Sequence, residues 1–161
     1  MIQHVLPAMR ARRSGRIVNV SSVLGFLPVP FQPFYVASKH ALEGYSEVLN
    51  LEVRAFGIFV SLVEPAFTRT GFIEQRGEIA APLEAYRPAR ARVSPVLKEQ
   101  TQTGADPDKV AQVILRSITA ANPAMRYPVG FDGALLQTTR AFLPNALLTR
   151  ILRRWFALDQ P

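Results

Sequence analysis

Hydrophobic positions recur along this chain with more than one period. Ile2, Val5, Leu6 and Met9 stand at helical spacing and run into a basic end at Arg10, Arg12 and Arg13, which suits a helix C-terminus. Ser14 and Gly15 are the expected stop. Residues 16–21 (RIVNVS) and 58–63 (IFVSLV) are near-continuous β-branched and apolar runs, the pattern of parallel strands covered on both faces. Residues 35–56 between them read as one long helix, with Gly57 just past its end. Strand, helix and strand make a βαβ unit, expected to cross over right-handed. Sites in open α/β sheets form beyond the carboxyl ends of the strands. Ser22 and Pro65, which follow the two runs, therefore border one crevice. The long helix carries two apolar stripes, one of Ala41, Gly44, Val48, Leu51 and Ala55, the other of Leu42, Leu49, Val53 and Phe56. One is expected to face the sheet and the other a partner.

Beyond Pro65 the periodicity weakens. Residues 68–104 hold Gly71, Gly77, Pro82, Pro88 and Pro95 among mixed charges and read as a long connection. Long connections are more often functional than short ones, so a mobile lid is expected here. Asp106, Pro107 and Asp108 make a helix start: an N-cap, a proline at the first position and an acid in the first turn. Val110, Val113, Ile114, Ile118 and Ala121 form the expected buried stripe of that helix. Residues 126–129 read as a short edge strand, because Pro128 cannot donate to a ladder, and residues 131–142 as a helix. From Pro144 a last helix puts Leu147, Leu148, Ile151, Leu152, Trp155 and Phe156 on one face and Arg150, Arg153 and Arg154 elsewhere. Packing over a core or pocket is expected ahead of membrane contact by residues 144–156.

Composition adds bounds. With 161 residues, 48% of them hydrophobic, the chain can bury the core of one domain. No apolar run is long enough to span a bilayer, and the first 13 residues lack a secretory h-region and cleavage site. The absence of cysteine removes disulfide and thiolate chemistry, and a cytoplasmic setting fits. The net charge of +7 comes from scattered arginines with no aromatic-interleaved basic strand, so it reads as solvated surface and no nucleic-acid partner is expected. His4 and His40 stand at no metal-ligand spacing, so no metal is expected and both read as bystanders.

Candidate chemistry concentrates between Ser22 and Lys39. Tyr35 and Lys39 are four apart and share one face of a helix. An ammonium beside a phenol favours the phenolate and lowers the pKa of Tyr35 toward a useful range. Ser22, converging from a preceding loop, can hold a carbonyl or alcohol oxygen for that tyrosine. This is the acid–base half of a hydride transfer, with the hydride supplied by a cofactor.

The segments Gly15-Arg16-Ile17-Val18-Asn19-Val20-Ser21-Ser22, Tyr35-Val36-Ala37-Ser38-Lys39 and Glu64-Pro65-Ala66-Phe67-Thr68-Arg69-Thr70 resemble, in order and spacing, the short-chain dehydrogenase/reductase family. The resemblance is specific over residues 1–70 and looser to residue 140. It implies an α/β fold, a partial Rossmann-like doubly wound parallel sheet in a single incomplete domain over residues 1–161. It also implies a substrate loop at about residues 66–105. It implies NAD(P) as cofactor, NADP slightly favoured, a small-molecule carbonyl or alcohol substrate, and a homo-oligomer formed through helix 35–56. On the matching positions, Tyr35 is the general acid/base, Lys39 lowers its pKa and binds the nicotinamide ribose, and Ser22 orients the substrate oxygen. Pro65, Thr68 and Thr70 join Tyr35 and Lys39 in holding the cofactor.

The loop with Pro28, Pro30 and Phe31 resembles the hydroxysteroid and retinol branch, which implies a hydrophobic substrate. The chain departs from the family pattern in two ways. Pro65-Ala66 stands where the family shows Pro-Gly, and no TGxxxGxG, GxGxxG or Asn-Asn-Ala-Gly segment occurs. By resemblance, then, the chain is the C-terminal, catalytic half of a dehydrogenase domain, expected to be weakly active or inactive alone. The competing readings are an epimerase or dehydratase using the same Tyr–Lys pair, and a non-enzymatic interaction fragment.

Overall fold

Ile17 and Val18 point to opposite faces of their strand, and that alternation sets the layers of the molecule. The computed structural model describes residues 1–71 and 83–159. Three strands, β1 (Gly15–Val20), β2 (Ile58–Pro65) and β3 (Arg126–Val129), form a parallel sheet in the order β1-β2-β3. Ile17 stands opposite Val60, and Leu62 opposite Arg126. The helices are α1 (Ile2–Ala11), α2 (Pro33–Val53), α3 (Arg87–Gln102), α4 (Pro107–Thr119), α5 (Gly130–Phe142) and α6 (Asn145–Trp155).

On one face, Ile17, Ile58 and Val60 pack with Leu49 and Val53 of α2 and with Leu6 and Met9 of α1. On the other, Val18, Val63, Tyr127 and Val129 pack with Val110, Val113 and Ile114 of α4. The sheet is thus covered on both faces, the α/β arrangement expected of the two apolar runs. A third cluster lies beyond the carboxyl ends of the strands. There Val23, Leu24, Leu27 and Val29 meet Val93 and Leu97 of α3, Leu148 of α6 and Phe156. This cluster is the wall against which the candidate site is built.

Several expectations change in detail. The turn after α1 is made by Arg13, at φ 52°, and not by Gly15. Gly15 lies under the Met9 side chain, where an added Cβ would stand 2.7 Å from Met9 Sδ. Helix α2 begins two residues earlier than expected, with Pro33 in its first turn. It tightens into a 3₁₀ turn over Arg54–Phe56 before Gly57 reverses the chain at φ 69°. Of its two apolar stripes, Leu49 and Val53 are buried, whereas Ala41, Gly44, Val48, Leu51 and Ala55 are exposed.

The connection over residues 68–104 is not structureless, for it contains the 16-residue α3. Pro88 sits in the first turn, where a missing N–H removes no helical bond, and Val93 and Leu97 bury one face despite Pro95. The lid expected around Gly77 and Pro82 lies outside the described residues. In α4, Ser117 and not Ile118 is fully buried, because position 117 lies seven residues after Val110 and four after Val113, at the centre of the stripe. In α6, Leu148 is buried and Phe156 just beyond it is too, while Leu147, Ile151 and Trp155 are exposed. Among the described residues no helix is long and apolar enough to cross a membrane.

Candidate active site

The last ladder bond of β1 runs from the Ser21 N–H to the Val63 carbonyl at 2.8 Å. The chain then turns away from the sheet, and Ser22 caps a 3₁₀ turn over Val23–Gly25, its Oγ accepting from the Leu24 N–H at 3.2 Å. The same hydroxyl donates to the Pro65 carbonyl at 3.3 Å, so it spans the carboxyl ends of β1 and β2. Helix α2 opens directly opposite. Gln32 caps it from buried surroundings, and Tyr35 and Lys39 occupy its first two turns. Lys39 Nζ donates to the Val20 carbonyl at 2.9 Å and lies 5.6 Å from the centre of the Tyr35 ring. Burial pulls the Lys39 pKa below its ordinary value, and Glu43, one turn further along α2, pushes it back up.

Ser22, Tyr35, Lys39, Pro65, Thr68 and Thr70, the six residues singled out in the sequence, all line one cavity of about 490 Å³. Val20, Ser21, Gln32, Ala66, Phe67 and Ile114 are also on its wall. The Thr68 segment is fastened in place. Arg69 N–H donates to the Ala105 carbonyl and Ala105 N–H to the Phe67 carbonyl, both at 2.9 Å. A Cβ at Gly104 would lie 2.5 Å from the Phe67 carbonyl oxygen, so glycine is required for that approach. Arg69 closes the join with an ion pair to Asp106 at 2.8 Å. Thr68 Oγ1 donates to the Ala66 carbonyl at 3.2 Å, and Thr70 is exposed at the rim. Ala66 stays out of the left-handed region, so the alanine is accommodated without strain. His40 bonds the Val36 carbonyl through Nδ1 outside this cavity. An adjoining cavity of about 930 Å³ shares Val23, Leu24, Ala66 and Phe67 with the first and is lined further by Leu27, Leu136, Leu152 and Trp155.

Sequence reasoning missed Ser21, whose buried hydroxyl has no hydrogen-bond partner, and Gln32, both on the cavity wall. It also missed an ion cluster immediately behind the site, formed by Glu43, Glu64 and Arg126. A signal was present: Glu64 is the one charged residue in an otherwise apolar strand, and Glu43 stands four residues after Lys39. Among the described residues, no group of acidic or histidine side chains is arranged to hold a metal ion.

Comparison with known proteins places this geometry. Residues 1–79 match the model of the short chain dehydrogenase family. The chain is 37% identical over 161 residues to a 3-ketodihydrosphingosine reductase of Bacteroides thetaiotaomicron, covering 98% of this chain and 60% of that protein. It is 37% identical over 153 residues to a 17-beta-hydroxysteroid dehydrogenase type 1 of Mus musculus, covering 91% of this chain and 41% of that one. Among solved structures, a short-chain dehydrogenase from Streptomyces avermitilis is 32% identical with a TM-score of 0.70, over 99% of this chain and 57% of its own. A short chain dehydrogenase/reductase from Burkholderia phymatum in complex with NAD is 28% identical with a TM-score of 0.65, over 86% and 50%. The chain spans about half the length of the relatives it matches. With its parallel sheet, its Tyr35–Lys39 pair and Ser22 meeting at one cavity, the chain belongs to the short-chain dehydrogenase/reductase family.

Proposed function

We propose that these residues supply the acid–base half of an NAD(P)-dependent oxidoreductase that interconverts a carbonyl and a secondary alcohol on a hydrophobic substrate. The observation that carries this reading is the meeting of Ser22, Tyr35 and Lys39 on one cavity wall. The Tyr35 hydroxyl gives a proton to the substrate oxygen in reduction and takes it back in oxidation. The Lys39 ammonium stands beside Tyr35, 5.6 Å from the ring centre. Ser22 holds the substrate oxygen by redirecting the hydroxyl that now makes a long 3.3 Å bond to Pro65. The nicotinamide cofactor, when bound, supplies or accepts the hydride.

The cavity wall fits the nicotinamide-ribose end of such a cofactor. Lys39 can donate to ribose hydroxyls, and Thr68, Thr70 and the unpartnered Ser21 hydroxyl are of the type that meets a carboxamide. NAD and NADP share that end of the molecule, so either one suits these residues. The adjoining 930 Å³ cavity, with Leu27, Leu136, Leu152 and Trp155, supports a substrate with a large apolar part. The names of the two relatives, a ketodihydrosphingosine reductase and a hydroxysteroid dehydrogenase, point the same way.

The sequence holds no glycine-rich turn to cradle a pyrophosphate, and the 161-residue chain alone is therefore expected to bind the cofactor weakly and turn over slowly, if at all. The exposed stripe of Val48 and Leu51 on α2, continued by Phe34 and Tyr45, is the surface we assign to self-association.

The test is a panel of long-chain and polycyclic ketones and alcohols. It is run with NADH, NADPH and their oxidised forms on the intact protein as its gene encodes it, with the 161 residues in parallel. Turnover of apolar ketones by the intact protein is expected. Nucleotide binding without turnover of any carbonyl or alcohol would contradict the reading.

A further inference from the structure

Glu64 closes β2 just before Pro65 and is completely buried, on the face of the sheet covered by α2. Glu43 of α2 lies over it and is 8% exposed at its side chain. One nitrogen of Arg126, Nη1, donates to Glu43 Oε2 and to Glu64 Oε1 alike, and the other, Nη2, donates to Glu47 at 2.5 Å. Glu47 is half exposed and can be solvated. Two buried carboxyl groups thus share one donor, and their remaining oxygens, Glu43 Oε1 and Glu64 Oε2, are buried without a partner. Both carboxyl groups bond the same guanidinium nitrogen, which brings them side by side. Two facing carboxylates cannot satisfy one another, since both only accept, whereas one carboxylic acid and one carboxylate can. Two buried negative charges against one shared cation also leave one charge uncompensated, which is costly away from water.

We propose that Glu43 and Glu64 hold a single proton between them at neutral pH, with Arg126 clamping their other oxygens, and that the pair positions Lys39 and Ser22 from behind. The pair reaches α2, the Ser22 turn and the carboxyl end of β2. Glu43 follows Lys39 by one turn, and its charge supports the lysine's proton against burial. Its carboxyl also packs on Gly25 of the Ser22 turn, where an added Cβ would lie 2.7 Å from Glu43 Cγ. Glu64 precedes Pro65, whose carbonyl receives the Ser22 hydroxyl. Burial above all, then the field of Glu43, pushes the Glu64 pKa up to about 7, with Arg126 opposing. The described charges on the other packed elements aim elsewhere. Arg116 lies over the Tyr127 ring, Arg140 donates to the Phe26 carbonyl, and Asp106 pairs with Arg69 beside Lys109. The roles of Lys39 and Ser22 rest on the proposed function, but the proton between Glu43 and Glu64 does not.

The test compares the intact protein with its Glu64→Gln and Glu64→Ala variants. The folded state keeps a proton that the unfolded chain loses above about pH 4.5, so wild-type stability should fall as pH rises from 4.5 to about 7 and level off beyond. A glutamine can donate to Glu43 and accept from Arg126, as the protonated acid does. Glu64→Gln should therefore fold, lose most of that pH slope and match or exceed the wild-type melting temperature at pH 8. Glu64→Ala should melt lower at every pH. A glutamine variant that fails to fold, or falls as far as the alanine one, would show an ionised Glu64 and overturn the shared proton. Nitrogen NMR of labelled lysine gives the second arm. Lys39 should lose its proton at a lower pH in a Glu43→Gln variant than in wild type, because the carboxylate that supports its charge is gone. An unmoved Lys39 titration would overturn the positioning role. Neither arm reads turnover, so a failure here is separate from a failure of the proposed reaction.

Discussion

Lys39 and Arg126 are two cations of one small region, and the fold treats them in opposite ways. Lys39 has one carbonyl, that of Val20, as its hydrogen-bonded neighbour on β1, and burial makes its proton easier to lose. Arg126 gives its donors to three carboxyl groups. Burial works against its charge too, but the bonds to Glu47 and Glu43 outweigh burial and hold the proton more firmly. The cation on the cavity wall is kept lightly held. A group that must fix geometry is locked. The difference shows how one sheet can carry a labile site directly in front of a rigid ionic support.

The contrast can be broken most severely at Arg126. Arg126→Met leaves Glu43 and Glu64 without their shared donor. Breaking a buried pair in this way costs about 3–5 kcal/mol, and with the arginine 29% exposed the low end is expected. A urea midpoint equal to wild type would show that the cluster does not support the fold. Gly25→Ala comes next. The added methyl meets the Glu43 side chain and should cost about 1–3 kcal/mol by overpacking, read from the same titration. Lys39→Met should differ sharply from Arg126→Met. Because the fold disfavours its charged form, replacing Lys39 should leave stability at neutral pH within about 1 kcal/mol of wild type or raise it. A loss as large as that of Arg126→Met would erase the distinction. The smallest effect is expected at Leu51→Lys, on the exposed stripe of α2, where stability should change by less than about 0.5 kcal/mol. If the stripe joins two copies, sedimentation of this variant should nonetheless show a smaller species than wild type.

The sheet and the shared helix face of Tyr35 and Lys39 were legible because each rests on a local pattern. The two β-branched runs specify strands covered on both faces, and the Tyr35–Lys39 spacing specifies one helix face. Asp106 caps α4 as its neighbours predicted, accepting from the Asp108 N–H at 3.0 Å. The support behind the site was not legible, since Glu43, Glu64 and Arg126 are brought together across 83 positions of chain. Nothing local to Arg126 announces which carboxylates it will meet. Periodicity did not place helix α3, whose pattern Pro88 and Pro95 interrupt, although the first falls where a helix tolerates it. The left-handed Arg13 went unseen because the nearby Gly15 looked like the turn, whereas Gly15 lies under the Met9 side chain.

The central claim is that Tyr35 moves the proton in a hydride transfer, with Lys39 and Ser22 arranged around it. The most direct measurement is single-turnover reduction of an apolar ketone by the intact protein loaded with NAD(P)H, comparing wild type with Tyr35→Phe. The account predicts unchanged cofactor binding and circular dichroism, with the transfer rate reduced by about 10²–10⁴-fold, the range a positioned general acid contributes. Equal rates in the two proteins would contradict it.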